Sequence, residues 1–149
     1  MVKMLLYCLL LMFMLSSNSL TKDADQIVGN WLTEKKNSKV RIFESGGKYY
    51  GKISWVEESI DPQTGEPYLD ILNPDKSKRD TPVFNLLVMK DFIYNNANQT
   101  WENGTVYNAM TGKTYSGYMK LSTSNKLKLR GYIGIPIFGR TDLWTRLKE

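Results

Sequence analysis

Catalysis and metal binding need side chains that move protons or hold ions, and this chain is short of them. It has no histidine, and its single cysteine, Cys8, lies in an apolar run near the N-terminus. The commonest general base and the usual transition-metal ligands are therefore missing. Serines and threonines are present with no imidazole to activate them, which leaves a Ser–Lys arrangement open and nothing more specific. Glu57 and Glu58 are adjacent, so on a strand they point to opposite faces and cannot work as a carboxylate pair. Asp61, Asp70 and Asp75 raise the question of Ca²⁺, but the close spacing of a calcium loop is absent. No glycine-rich phosphate loop precedes a helix. The expectation is a protein that is not an enzyme and carries no cofactor and no metal.

Binding chemistry is better supplied. Nine tyrosines and four tryptophans offer rings that are apolar in the body and polar at the tip, suited to a cavity that orients a ligand's polar head. The same rings also serve as plain core, and a small barrel is either packed solid or holds one small molecule. The candidate interior residues, for either use, are Tyr49, Ile53, Trp55, Tyr107, Tyr115, Met119, Leu129 and Ile133. A second candidate is the apolar turn in "RGYIGIPIFGRTDLWTR", where Ile135, Ile137 and Phe138 stand between Gly134 and Gly139. Pro136 cannot donate to a ladder, so the segment is a turn or an edge. Three readings compete for it: an end cap folded back over the barrel, a portal lip for an apolar ligand, or a contact with membrane or a partner protein.

The elements that would position these residues are strands. Beyond residue 20 no long helical period appears. Instead "KYYGKISWVE", "KTYSGYMKL" and "KLKLRGYI" alternate, with Tyr49, Gly51, Ile53 and Trp55, then Tyr115, Gly117, Met119 and Leu121, then Leu127, Leu129, Gly131 and Ile133 each on one face. Such one-sided strands belong to an antiparallel sheet with one wet face. Ser45-Gly46-Gly47, Met110-Thr111-Gly112 and Ser122 to Asn125 have hairpin chemistry. Short strands at near-regular spacing predict a meander closed into an up-and-down barrel of roughly 8 to 10 strands, with a β-sandwich as the alternative. The segment from about Glu58 to Thr81 has three prolines and no period, and reads as a long excursion: a binding element or a solvated insertion.

Met1-Val2-Lys3, the apolar run Met4 to Leu15 and the small residues Ser16 to Ser19 have the layout of a secretory signal peptide. The run is too short to span a bilayer as a helix, and the residues around Cys8 do not suit a lipoprotein anchor. The expected division is a signal peptide over 1–20 and one barrel domain over 21–149, periplasmic or secreted, with no transmembrane span after cleavage. About 130 residues suffice for a core without disulfides. The net charge of +5 comes from scattered basic residues rather than a stripe, which argues against nucleic acid and leaves anionic lipid, glycan or protein surfaces open.

Two motifs carry a resemblance. Gly29-Asn30-Trp31 at the mouth of the first strand, with Arg146 in the last, resembles the signature of the lipocalin and wider calycin barrels, in which a Trp plugs one end and an Arg stacks over it. Gly29, Trp31 and Arg146 are thereby implied as barrel-closure residues, with Arg140 as the weaker alternative for the Arg. Over nearly the whole mature chain, "YYGKISWV", "LNPD", "TPVFNLLVMKDF", "WENGTVYNAMTGKTYSG" and "LKLRGYIGIPIFGRTDLWTR" are similar to an uncharacterised family of exported bacterial proteins, domain of unknown function 2147, with a lipocalin-like barrel. Thr81 and Asn85 stand where the resemblance implies Arg and Gly, and Asn108-Ala109 where it implies Asp-Pro. Cysteines that some members pair in the excursion are absent.

The function expected is binding of a small apolar or amphipathic ligand or lipid inside the barrel, in the cell envelope. The alternative is a ligand-free barrel whose outer face, including Lys126, Lys128 and Arg130, engages an envelope protein or the cell wall.

Overall fold

A computed structural model describes residues 23–148; the expected signal peptide, 1–20, lies outside them, as do residues 21, 22 and 149 of the expected domain. A 3-10 turn, Asp25–Ile27, leads into eight strands: β1 Gly29–Leu32, β2 Ser38–Ser45, β3 Lys48–Val56, β4 Leu87–Asn95, β5 Thr100–Asn108, β6 Lys113–Thr123, β7 Lys126–Tyr132 and β8 Arg140–Arg146. Each pairs antiparallel with the next, and β1 pairs with β8 through Trp31↔Arg146 and Leu32↔Thr145, so the sheet closes into a barrel. Closure removes every free edge. No helix among the described residues is long and apolar enough to cross a membrane.

Alternation sets the inner face. Leu127, Leu129 and Gly131 of β7 face Trp144, Asp142 and Arg140 of β8, while Met119 and Gly117 of β6 face Leu129 and Gly131. The glycines on this wall make room for large neighbours. A Cβ on Gly104 would lie 2.3 Å from the Phe92 ring, and one on Gly51 would lie 2.7 Å from the Met89 sulfur. Phe92 and Met89 thus fill space that two side chains have vacated, and both are fully buried. Close packing of this kind is the condition of a protein interior.

Between β5 and β6 the register shifts from Trp101↔Met119 to Gly104↔Gly117, while β4 follows β5 in step through Lys90↔Thr105 and Ile93↔Glu102. Asp91 and Asn103 sit there with φ of 62° and 60°, a left-handed conformation that Asp and Asn tolerate better than most residues. The irregularity resets the alternation: Trp101, Gly104 and Val106 face inward, where unbroken alternation from Trp101 would have brought Tyr107 inside.

The excursion between β3 and β4 is not a free insertion. It folds on itself through the bridges Ile60↔Pro67 and Leu69↔Pro82 and is fastened by Asp70, which is fully buried. The carboxylate of Asp70 accepts from the Tyr107 hydroxyl at 2.6 Å and from Asn73 Nδ2 at 2.7 Å. Its backbone N–H donates to the Thr81 carbonyl at 2.8 Å. The excursion's backbone at Leu72 lies so close to Gly112, in the turn between β5 and β6, that a Cβ there would come within 2.0 Å of the Leu72 oxygen. Asn85, at the return to β4, has φ of 65°, which accounts for a Gly or an Asn at that position. Asn108 caps its turn by accepting from the Met110 N–H at 2.9 Å, the role an Asp would play.

Candidate functional site

One end of the barrel is shut by the chain that precedes β1. Trp31 is fully buried and its indole N–H donates to the Ile27 carbonyl at 2.9 Å. Trp101 donates to the Ala24 carbonyl at 3.0 Å, and the Tyr49 hydroxyl donates to Asp25 at 2.8 Å. The Arg146 guanidinium lies 4.2 Å from the Trp31 ring centre and donates to the carbonyls of Ser124 (2.7 Å), Val28 (2.8 Å) and Gln26. A cation over an indole face is attracted by the ring's quadrupole. Gly29 has φ of 137°, and a Cβ there would stand 2.9 Å from Arg146 Nη1. Gly29, Trp31 and Arg146 therefore close the barrel together, and Arg140 belongs to the other end.

At that other end the inner wall loosens. The irregularity between Val40↔Ile53 and Lys39↔Trp55 turns Trp55 to the outer face, half-buried beneath Lys39, whose Nζ is 4.8 Å from its ring centre, and sets Val56 against the core instead. Tyr115 is half-buried, and Ile133, one residue past the end of β7, is 67% exposed. Arg140 pairs with Asp142 at 3.1 Å and reaches toward Glu34 at 3.9 Å. Between mouth and plug stands Trp144, whose indole N–H is buried with no hydrogen-bond partner, alone in this among the described side chains. A buried donor left unmatched costs free energy until water or a ligand supplies an acceptor.

The eight candidate interior residues divide accordingly. Tyr115 stands at the mouth, Ile133 is exposed one residue past the end of β7, and Ile53 and Leu129, both buried, lie below; Trp55 needs correction, because the irregularity at Ser54 turns it to the outer face. Met119 is fully buried and Tyr49 is engaged with Asp25, so both belong to packed core or plug. Tyr107 needs correction: it faces outward, where Asp70 of the excursion receives its hydroxyl. Burial first, and then the hydrogen bond to Asp70, push its phenol up to about 12.

The apolar turn needs correction as an end cap. Ile135, Ile137 and Phe138 are 55, 74 and 82% exposed and cover nothing. Pro136–Phe138 forms a 3-10 turn, and Arg130 from the outer face of β7 holds its carbonyls, donating to Pro136 at 2.7 Å and Ile137 at 3.2 Å. With the backbone so held against the wall, the side chains point to solvent. Alternation along β7 placed Arg130 outside, but nothing in the sequence linked it to carbonyls six residues on.

The two best-formed concavities lie on the outside. The larger, about 610 Å³, runs over β5, β6 and β7 and is lined by Asn98, Glu102, Asn103, Tyr118, Lys120 and Tyr132 among others. Glu102 is fixed there by Thr100 (2.5 Å), Asn95 (3.1 Å) and Asn98 (3.4 Å), and these bonds, that from Thr100 first, hold its carboxyl below the usual range. The smaller, about 300 Å³, lies beside the plug. No group of three or more metal-ligating side chains occurs among the described residues.

A closed eight-stranded meander with a Trp plug and its covering Arg defines the class: a lipocalin-like barrel. The fold is similar to a solved structure described as "Protein HP1028 from the human pathogen Helicobacter pylori belongs to the lipocalin family", with a TM-score of 0.69 and 24% identity over 83% of this chain and 84% of that one. Residues 29–146 match the family described as "Uncharacterized protein conserved in bacteria (DUF2147)", and the chain belongs to that family. No curated protein matches it.

Proposed function

We propose that this is an exported binding protein, not a catalyst, that takes a small amphipathic molecule at the open end of its barrel. The observation that carries the reading is the unpartnered Trp144 N–H on the inner wall. A ligand acceptor, such as a carbonyl, ether or hydroxyl oxygen, would satisfy it. Tyr115 and Leu129 supply apolar contact at roughly 25 cal/mol per Å² buried, and Arg140 offers charge to a polar head. The closed half is filled by Trp31, Phe92, Trp101 and Met119, so the ligand is small or sits partly outside. The apolar segment before residue 20 supports export.

The test is native mass spectrometry of the protein isolated from its host without refolding. A reproducible extra mass, released on denaturation and lowered in occupancy by Trp144→Phe, is expected. A clean apo mass, still clean after incubation with an envelope lipid extract, would overturn the reading.

A second reading has its own support in the groove on the outer wall, where Tyr118 and Tyr132 stand among amides, a carboxylate and Lys120. On it the barrel is a scaffold and the wall engages an envelope protein or the cell wall. Envelope pull-down that survives charge reversal at Lys126, Lys128 and Arg130 would count against it.

A further inference from the structure

The exposed apolar turn invites an explanation that a ligand within the barrel does not supply. Large apolar side chains at the tips of neighbouring loops are unusual on a monomer surface and mark contact sites. Here they come from two connections at one end. β6 and β7 pair as Ser116↔Tyr132, so the turn before β6 emerges beside the connection after β7. The first presents Met110 at 84% exposure; the second presents Ile135, Ile137 and Phe138.

Order in the second connection is high. Pro136 opens a 3-10 turn, the Gly139 N–H closes it on the Pro136 carbonyl at 3.0 Å, and Arg130 holds two carbonyls of the turn as well as Thr141 Oγ1 at 2.8 Å. Gly139 is pressed to β7, where a Cβ would meet the Gly131 oxygen at 2.6 Å. The apolar tip is therefore a built wedge.

Charge decides what the wedge meets. The flanking cations are Lys113 beside Met110, and Lys128 and Arg130 on the outer face below the turn. None of the three forms an ion pair among the described residues, whose ion pairs use Lys48, Lys78 and Arg140. An apolar tip with unneutralised cations set back from it matches a bilayer surface: the tip enters the headgroup and acyl boundary while the cations face lipid phosphates. A protein partner would want about 800 Å² of complementary surface on each side, whereas a bilayer needs only the protruding side chains.

We propose that the open end of the barrel docks on an anionic membrane surface through Ile135, Ile137, Phe138 and Met110, with Lys113, Lys128 and Arg130 as the electrostatic flank. The docking does not depend on a ligand in the barrel, so it stands or falls separately from the function proposed above.

The experiment places an environment-sensitive fluorophore on a cysteine introduced as Ile137→Cys in the full chain with Cys8→Ser, and adds vesicles of phosphatidylcholine with or without phosphatidylglycerol. Expected is a blue shift and gain of emission on the anionic vesicles, diminished by salt, with no change from the same label at Ser45→Cys, exposed in the β2–β3 turn at the closed end. Paired Lys113→Glu and Lys128→Glu, with an unchanged urea midpoint, should weaken the partition roughly tenfold or more. An unresponsive label at position 137, an equal response at position 45, or a response only to an envelope protein fraction would overturn the proposal. Partition unaffected by lipid charge or by the two reversals would overturn its electrostatic part.

Discussion

The guanidinium of Arg146 lies 4.2 Å over the indole of Trp31 while its N–H groups reach three backbone carbonyls of the plug and of the β6–β7 turn. One side chain from the last strand thus joins the first strand to the segment before it and closes the sheet. Burial lowers the pKa of this arginine from its ordinary value, a sign that it is partly withdrawn from water. Arg146→Ala should lower the unfolding free energy by about 1 to 3 kcal/mol and alter tryptophan emission. Arg146→Lys should recover less than half of the loss, because an ammonium cannot span the three carbonyls. Urea unfolding followed by fluorescence measures both.

Gly104 is predicted to be intolerant of even one methyl group. With Phe92 Cδ2 at 2.3 Å from the position of the new Cβ, Gly104→Ala should cost about 1 to 3 kcal/mol through overpacking. Phe92→Leu in the same chain should return part of it. Simple additivity of the two losses in a double-mutant cycle would show that the ring and the glycine are not in contact.

The excursion hangs on one buried carboxylate. Asp70→Ala leaves the Tyr107 hydroxyl and Asn73 without their acceptor, a loss of about 1 to 3 kcal/mol for the region, and cleavage by a dilute protease should appear between residues 57 and 86. An uncut excursion would mean that its other fastenings, the bridges Ile60↔Pro67 and Leu69↔Pro82 and the contact at Gly112 among them, suffice to hold it.

Alkali should loosen the protein in a defined window. Tyr107 is raised to about 12, by burial first and then by Asp70, and Tyr49 is raised as well, by burial and then by Asp25. A phenol with a higher pKa in the folded state keeps its proton when the unfolded chain, titrating near 10, has lost it. The stability these two groups contribute is fully present below pH about 10 and is lost as the pH rises toward 12. Unfolding free energies measured across that range should fall, and Tyr107→Phe should flatten part of the fall.

Asn85 offers a test of backbone cause. At φ of 65°, Asn85→Gly should be neutral or slightly stabilising, whereas Asn85→Ala should cost about 1 kcal/mol. A loss on going to Gly would show that the Asn side chain contributes as well.

Much of this architecture could be read along the chain, because strand alternation and turn chemistry are local. The inner rows of β3, β6 and β7 were legible from Tyr49 to Ile53, Tyr115 to Leu121 and Leu127 to Gly131, and the Gly29-Asn30-Trp31 and Arg146 pair pointed to a plugged barrel, but the extra residue Ser54 that turns Trp55 outward left no mark in the pattern. The face of Tyr107 was not legible. The irregularity at Asn103 shifts β5 by one residue, and with Val106 and Tyr107 both apolar, the pattern does not say which is inside. The same limit applies to Asp70, which in sequence is one acid among many in an irregular stretch. Its burial follows from a tyrosine 37 positions later.

By itself, then, the sequence determined the strand period, the turns and the shortage of catalytic and metal-binding side chains, since each depends on residue type and short spacing. Only the tertiary structure decided that the excursion is fastened to the outer wall, that Trp144 keeps an unmatched N–H within the barrel, and that the Ile-Pro-Ile-Phe turn points to solvent. The reason in each case is a contact across the sheet, where a bulge, a distant carboxylate or the reach of Arg130 decides the direction of side chains that local preference leaves open.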